Sequence, residues 1–124
     1  MAAGELHWHD VPDAAELWEG DLVDAEVAGE QVLIVHHLDG SFAAYQGLCP
    51  HQELLLADGK WDEETGVLSC VGHHWEFDMR TGDGINPAGC RLFRYPVEAA
   101  DGRVRIGIPQ DGRSHYNRFS TPDE

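Results

Sequence analysis

Two short segments of this chain each pair a cysteine with a histidine. Cys49 is followed two positions later by His51, and Cys70 is followed three positions later by His73. Thiolate sulfur and imidazole nitrogen are both good ligands for transition metals. Zinc sites usually pair like with like, with two cysteines in one segment and two histidines in the next. One of each in both segments therefore predicts a mixed site, and favours two metal ions, one bound by the thiolates and one by the imidazoles.

This ligand pattern resembles that of the Rieske family, in which two cysteines bind one iron of a [2Fe–2S] cluster and two histidines bind the other. Phe77 and the Thr-Gly pair at 81–82 keep the H-x-x-x-F-x-x-x-T-G spacing after His73. Residues 84–87 are similar to the family's third, proline-bearing loop. As a block, residues 49–97 are most similar to the ferredoxin subunits of bacterial toluene and related aromatic monooxygenase systems.

The resemblance implies one Rieske-type [2Fe–2S] cluster per chain, with Cys49, His51, Cys70 and His73 as its ligands. It also implies an electron-transfer protein rather than an enzyme. Single electrons would come from a flavin-dependent NAD(P)H reductase and pass to an oxygenase, a diiron aromatic monooxygenase of aromatic hydrocarbon catabolism. A ferredoxin for a ring-hydroxylating dioxygenase is the alternative, which differs only in the electron acceptor. A structural zinc-binding module is a further alternative, and such a protein would be colourless.

His74 adjoins the last predicted ligand and could replace it in a C-x-x-x-H register. The C-x-x-H register matches the family and keeps Phe77 and Thr81 in step, so we favour His73. Trp75 and Phe77 stand where high-potential relatives carry hydroxyl groups that donate to the cluster sulfurs. Neither side chain has a hydroxyl, so we expect a reduction potential toward the low end of the Rieske range, which is roughly −150 to +300 mV.

The length and charge of the chain limit what else it can do. A chain of 124 residues forms one domain, which buries roughly two-thirds of its unfolded surface. No room remains for a second domain with the mononuclear iron site of a Rieske oxygenase. The 23 acidic residues outnumber the 8 Lys and Arg residues, and the net charge of −15 argues against nucleic acid as a partner. Such a charge favours positively charged protein surfaces, and we expect the carrier to be a monomer.

Several features predict a cytoplasmic location and no membrane partner. Residues 1–10 lack the basic region and the apolar stretch of a signal peptide. The longest apolar runs, at 32–35 and 54–57, are too short to span a bilayer. With two of the three cysteines assigned to the metal, only Cys90 is left, so no internal disulfide can form without loss of the site. A protein without disulfides fits a reducing compartment.

Short apolar runs separated by turn residues predict an all-β fold, a Rieske-type antiparallel β sandwich or barrel with a cluster-binding subdomain formed by two loops. Asp-Gly pairs at 39–40 and 101–102 predict hairpin turns, with two residues in the first. We expect a single Rieske domain over residues 1–108, with its cluster-binding part at about 46–90, and a polar C-terminal extension over 109–124. The predicted strands are 22–27, 31–36, 42–45, 67–69, 75–78, 92–97 and 103–106.

Overall fold

The computed structural model describes residues 6–48, 55–70, 75–86, 88–100 and 102–109. Side chains are described at all of these positions except 6, 86, 88–90 and 109. The described residues form twelve short strands, one helical turn and one turn of 3-10 helix. All strand pairs are antiparallel. The predicted all-β antiparallel fold is therefore confirmed.

The strands fall into three sheets. The first sheet has the order β1-β12-β11, the second β10-β4-β3-β2, and the third β5-β6-β7-β8-β9. The helical turn α1 spans Pro12–Ala15, and the 3-10 turn spans Leu56–Asp58. The strands are β1 Leu6–Asp10, β2 Leu22–Val27, β3 Glu30–His36, β4 Phe42–Gln46, β5 Lys60–Asp62, β6 Val67–Ser69, β7 Glu76–Asp78, β8 Asp83–Asn86, β9 Ala88–Arg91, β10 Arg94–Tyr95, β11 Val97–Ala100 and β12 Arg103–Pro109.

Strands β3 and β4 lie at the centre of the molecule, with both faces of the sheet buried. Successive side chains of a strand point to opposite faces, so these two strands contribute to two hydrophobic cores. The first core contains Leu33, Val35, Ala43, Tyr45, Leu56, Leu68, Cys70, Phe77, Met79 and Leu92. The second core contains Val11, Ala14, Val27, Val32, Ile34, Ala44, Tyr95, Val104, Ile106 and Ile108.

The other two sheets cover the opposite faces of this central sheet. Val104, Ile106 and Ile108 of β12 belong to the second core, so the β1-β12-β11 sheet closes that side. Leu68 of β6 and Phe77 of β7 belong to the first core, so the β5–β9 sheet closes the other side. Cys70 directly follows β6 of this five-stranded sheet. The extent of the cluster-binding part, about 46–90, stays a prediction.

The hairpin turns differ in part from the sequence prediction. His36 pairs with Phe42, so the connection at 37–41 has five residues, and the predicted two-residue turn at 39–40 is wrong. The Asp39 side chain instead caps the loop, because its Oδ1 accepts hydrogen bonds from the Ser41 amide and hydroxyl. The predicted hairpin is confirmed by the antiparallel pairing of β11 with β12, in which Ala100 pairs with Arg103; Asp101 of its turn lies outside the described residues.

The predicted strand at 92–97 is wrong as a continuous element. It is divided into β10 and β11, and Pro96 separates them because proline has no amide proton to donate to a neighbouring strand. The sequence prediction also missed β1, β5, β8 and β9. No helix among the described residues is long and apolar enough to cross a bilayer. The predicted domain boundary after residue 108 stays a prediction, because residues 110–124 lie outside the described ranges.

Candidate metal centre

The first Cys-His segment lies between two residues that pair with each other. Leu48 and Leu55 form an isolated antiparallel bridge. The Leu56 amide donates to the Gly47 carbonyl over 2.8 Å, and the Gly47 amide donates to the Gln31 carbonyl over the same distance. The ends of the segment 49–54 are therefore fixed to each other and to β3.

The second Cys-His segment is bracketed in the same way. The Cys70 amide donates to the Trp75 carbonyl over 2.6 Å, and the flanking strands pair through Leu68 and Phe77. Leu56, directly after the first bridge, and Cys70 belong to the same core. The fold therefore brings the bases of the two segments to one edge of the first core.

Of the four predicted ligands, only Cys70 lies in the described part of the chain. Cys49, His51 and His73 lie outside it, as do the alternative ligand His74 and Pro87. Among the described residues no group of three or more His, Cys, Asp or Glu side chains is placed to hold a metal ion. Three of the four predicted ligands lie outside these residues, so the ligand set stays a prediction.

The surroundings of Cys70 fit a sulfur-bound iron. The side chain is 1% exposed and forms no disulfide. It packs in the first core, where a thiolate without a positive partner would be costly and a metal ion would supply the missing charge. The buried thiol at the base of a short loop is therefore available as a ligand and shielded from water. The donor chemistry at this position agrees with a [2Fe–2S] cluster.

Gly59 allows β5 to approach β6 closely beside Cys70. A Cβ atom at this position would lie 2.0 Å from the backbone carbonyl oxygen of Ser69, far inside van der Waals contact. The φ angle of Gly59 is −81°, which any residue can adopt. Glycine is therefore required here by space and not by backbone conformation. The sequence alone does not reveal this requirement, because a contact with residue 69 leaves no local signal.

Gln46 holds the end of β4 in place, immediately before the first segment. The side chain is 1% exposed. Its Oε1 accepts a hydrogen bond of 2.7 Å from the Phe93 amide, and its Nε2 donates to the Leu48 carbonyl over 2.9 Å. The Gln46 amide in turn donates to the Phe93 carbonyl over 2.8 Å. One buried amide therefore joins the base of the first segment to the chain that returns from β9.

A second buried polar contact joins the turn after β7 to the central sheet. The Met79 carbonyl accepts hydrogen bonds from the Tyr45 hydroxyl at 2.8 Å and from His37 Nε2 at 3.0 Å. Burial raises the pKa of Tyr45 to about 12, and burial lowers the pKa of His37 below its ordinary value of 6.5. Both groups are therefore neutral near pH 7, and they tie the turn after β7 to the central sheet. Gly82 allows the chain to pass close to the Tyr45 ring, because a Cβ atom there would lie 2.8 Å from that ring.

The two aromatic residues after the second segment pack against the first core. Phe77 is fully buried within it, and Trp75 is half-buried against its edge. Neither residue has a hydroxyl group that could donate a hydrogen bond to a cluster sulfur at the two Cys-His segments. The expectation of a potential toward the low end of the Rieske range stays a prediction.

Comparisons with known proteins support a Rieske-type [2Fe–2S] cluster. The model of the Rieske [2Fe-2S] domain matches residues 7–96. The chain is 39% identical over 113 residues, which are 89% of it and 91% of the relative, to the ferredoxin component of the alkene monooxygenase system of Xanthobacter autotrophicus. It is 28% identical over 101 residues, 81% of it and 94% of the relative, to the ferredoxin component of the naphthalene 1,2-dioxygenase/salicylate 5-hydroxylase systems of Ralstonia sp.

A solved structure gives the same result for the fold. The ferredoxin of carbazole 1,9a-dioxygenase from Nocardioides aromaticivorans IC177 superposes with a TM-score of 0.68 at 25% identity. The match covers 83% of this chain and 97% of that ferredoxin. Similarity over nearly the whole length of these ferredoxins indicates that no large domain of theirs is missing from the match.

Proposed function

Because this chain belongs to the Rieske [2Fe–2S] domain family, we propose that it is the ferredoxin of a multicomponent oxygenase. It carries single electrons from a flavin-dependent NAD(P)H reductase to the oxygenase component and performs no substrate chemistry itself. The observation that carries this proposal is the 39% identity, over 89% of the chain, to a protein named as the ferredoxin component of an alkene monooxygenase system.

The chain holds one Rieske-type [2Fe–2S] cluster, as its family and its ferredoxin relatives indicate. When bound, a Rieske cluster accepts and releases one electron at a time. We assign Cys49, His51, Cys70 and His73 as its ligands. The burial of Cys70 supports this assignment, because a thiol shielded from water can hold the inner iron at the base of its loop. The hydrogen bond from the Cys70 amide to Trp75 fixes where that loop begins and ends.

The electron acceptor in this proposal is a monooxygenase, a diiron hydroxylase of the aromatic type. The relative with the highest identity given above belongs to a monooxygenase system, which supports the monooxygenase class. A dioxygenase is the second candidate acceptor. It is favoured by the 28% identical ferredoxin component named for naphthalene 1,2-dioxygenase and by the superposition on the carbazole dioxygenase ferredoxin.

A reconstitution experiment tests the function. The cluster-loaded protein is mixed with a purified flavin reductase, NADH and either a diiron monooxygenase or a ring-hydroxylating dioxygenase from the same source. We expect rapid bleaching of the visible absorption by the reductase and coupled product formation with the monooxygenase. Product formation only with the dioxygenase would support the second candidate. A colourless protein that contains zinc and no acid-labile sulfide would contradict both.

A pair of adjacent variants tests the ligand register. His73→Ala should lose the cluster, whereas His74→Ala should keep the visible and paramagnetic spectra of the unaltered protein. The two substitutions remove the same side chain from neighbouring positions, so each is a control for the other. Cluster loss in His74→Ala alone would assign the ligand to His74.

A further inference from the structure

Gln46 is a polar residue buried shortly before Cys49, the first predicted ligand. It is 1% exposed, whereas most glutamine side chains lie at the protein surface. Burial of an amide costs free energy unless its hydrogen bonds are made inside the protein. This amide is bonded at both ends, through Oε1 to the Phe93 amide and through Nε2 to the Leu48 carbonyl. A buried amide with this pair of partners indicates a role that an apolar side chain cannot perform.

The Gln46 side chain makes a hydrogen bond that a regular strand pair would make with backbone groups alone. In the β4–β10 pair, Tyr45 lies opposite Arg94. The same register places Gln46 opposite Phe93, and the Gln46 amide donates to the Phe93 carbonyl over 2.8 Å. An antiparallel pair would return a bond from the Phe93 amide to the Gln46 backbone carbonyl. That amide donates to Gln46 Oε1 over 2.7 Å, so the side chain ends the strand pair.

The two partners fix the orientation of the Gln46 amide. A backbone N–H can only donate and a backbone carbonyl can only accept, so Oε1 must face Phe93 and Nε2 must face Leu48. The bond from Nε2 to the Leu48 carbonyl is 2.9 Å long. The partial positive charge of the side-chain N–H is therefore directed at the Leu48 carbonyl, at the base of the first Cys-His segment.

The Leu48 carbonyl belongs to the peptide unit that leads to Cys49. A peptide unit is planar, so a hydrogen bond that holds this carbonyl also holds the plane of the whole unit. Each peptide unit has a dipole of about 3.5 D. Hydrogen bonds and dipoles around an iron–sulfur cluster change its reduction potential. Gln46 therefore controls the direction of a dipole immediately before the first predicted cysteine ligand.

Gly47 is held in place independently of the Gln46 side chain. Its amide donates to the Gln31 carbonyl and its carbonyl accepts from the Leu56 amide, both over 2.8 Å. A Cβ atom at Gly47 would lie 2.9 Å from Gln31 Cγ, so the backbone lies tightly against β3. These anchors remain when the Gln46 amide is removed. The expected change is therefore a reorientation of the Leu48 peptide unit, within a fold that is retained.

We propose that Gln46 is a positioning residue for electron transfer, which raises the reduction potential of the cluster by directing its side-chain N–H at the Leu48 carbonyl. The inference rests on the proposed function. The N–H compensates the partial negative charge of this carbonyl oxygen. Reduction adds one electron to the cluster, and an uncompensated negative charge nearby disfavours that addition. Removal of the amide should therefore lower the potential.

Potentiometric titration of the isolated, cluster-loaded protein tests the proposal. Gln46→Met keeps an unbranched side chain of similar length and removes both hydrogen bonds, and its potential should be lower than that of the unaltered protein. Gln46→Asn is the second variant, because its amide is one methylene shorter and cannot bridge Phe93 and Leu48 as glutamine does. Its potential should also be lower. Tyr45→Phe is the matched control, since it removes a buried hydrogen bond to the Met79 carbonyl and should keep the potential.

The rates of the two electron-transfer steps provide a readout that a merely structural role would not produce. A lower potential makes the carrier a weaker electron acceptor and a stronger electron donor. In stopped-flow measurements, the flavin reductase should therefore reduce Gln46→Met more slowly than the unaltered protein. The reduced variant should pass its electron to the oxygenase component faster. A carrier with a damaged fold would be slower in both steps.

Several results would overturn the proposal. One is an unchanged potential in a loaded Gln46→Met or Gln46→Asn protein, and another is an equal fall in Tyr45→Phe. Slower electron transfer in both steps, or loss of the cluster from both Gln46 variants, would assign this residue a structural role only. Failure of the proposed function is distinguishable, because it appears as absence of electron transfer to either oxygenase by the unaltered protein, whereas the potentials are measured without a partner.

Discussion

At Gly59, the absence of one methyl group decides how closely β5 can approach β6 beside Cys70. Gly59→Ala places a Cβ atom against the Ser69 carbonyl oxygen, 2.0 Å away in the present backbone. The backbone must move, and we expect a loss of about 1 to 3 kcal/mol in the free energy of unfolding. Because the moving segment leads into Cys70, the cluster content should fall as well. Urea denaturation and iron analysis measure the two effects.

Gly29→Ala provides the contrast for this substitution. No atom lies within 4 Å of a Cβ at Gly29, but its φ of +83° is unfavourable for alanine. The expected cost is about 1 to 2 kcal/mol from the left-handed backbone alone, with full cluster content. Equal cluster loss in both variants would show that the contact at Gly59 has no special relation to the metal loop.

The His51 ligand assignment makes a prediction about the reduction potential. His51→Cys replaces a neutral imidazole with an anionic thiolate, which stabilises the oxidised cluster. The potential should fall markedly, or the cluster should fail to assemble. Potentiometric titration followed by visible absorption measures the change, and His7→Cys on β1 controls for the added thiol. A fully loaded His51→Cys protein with an unchanged potential would remove His51 from the ligand set.

The sequence could indicate some residues of the site and not others. Cys70 was predicted from its spacing to His73, and the structure buries it at the base of its loop. Gln46 and Gly59 carried no such signal, since their partners are at positions 93 and 69. Metal ligands are recognisable by local spacing, whereas the residues that support them depend on contacts between distant segments.

In the β2–β3 hairpin, one turn residue is less suited to its backbone conformation than another would be. Val27 pairs with Glu30, and the two turn residues, Ala28 and Gly29, have φ angles of +52° and +83°. Positive φ at both positions is the pattern of a type I′ turn, in which Asn-Gly is preferred. Ala28→Asn should therefore raise the free energy of unfolding by about 0.5 to 1 kcal/mol. Thermal and urea unfolding measure the gain, and Ala28→Val should instead destabilise the protein because a β-branched residue resists positive φ.

The end of β4 provides a second prediction at this scale. Gln46→Leu removes the side-chain partners of the Phe93 amide and the Leu48 carbonyl. A buried group left without its hydrogen bond costs about 1 to 3 kcal/mol. The free energy of unfolding should fall by this order, and the bound cluster should be released faster to a chelator, because Leu48 is the base of the first segment. Tyr45→Phe, which removes the buried hydrogen bond to the Met79 carbonyl, is the control. Equal chelation rates in the two variants would contradict the link to the loop.

Strands were predictable where apolar residues alternate and turn residues flank them; β5, β8 and β9 lack that alternation and were missed although each pairs with a neighbour in the chain. Strand 22–27 agrees with β2, and 67–69 agrees with β6, because alternation and flanking turn residues are local. Strand β1 was missed because its only described partner is β12, almost a hundred positions further on. The Asp-Gly pair at 39–40 misled the prediction of loop length, since Asp39 caps a longer loop.

At the scale of the whole molecule, stability should depend on pH through His37. The side chain is 8% exposed. Burial lowers the pKa of His37 most, the Met79 carbonyl and Asp39 raise it, and Arg80 and Arg94 lower it further. Because the folded pKa lies below the unfolded value of 6.5, the unfolded chain binds the proton more readily. The stability from neutral His37 is therefore complete above pH 6.5 and is lost as the pH falls below it.

His37→Gln tests this dependence. Glutamine can still donate to the Met79 carbonyl but does not titrate. The variant should lose less stability than the unaltered protein between about pH 7 and pH 5, in urea unfolding at a series of pH values. The comparison cancels the contributions of the other histidines, which the two proteins share. A constant difference in stability across this range would exclude His37 as the source.

The two cores share β3 and β4, and this has a consequence for how the carrier can be dismantled. Each of these strands contributes alternate side chains to the two cores, so neither core is complete without them. A fragment of only the β5–β9 sheet and the two Cys-His segments would lack the β3 and β4 side chains of the first core. A fragment without that sheet would expose Leu33 and Val35 to water. We therefore regard the molecule as indivisible, with metal retention and melting coupled in a single event.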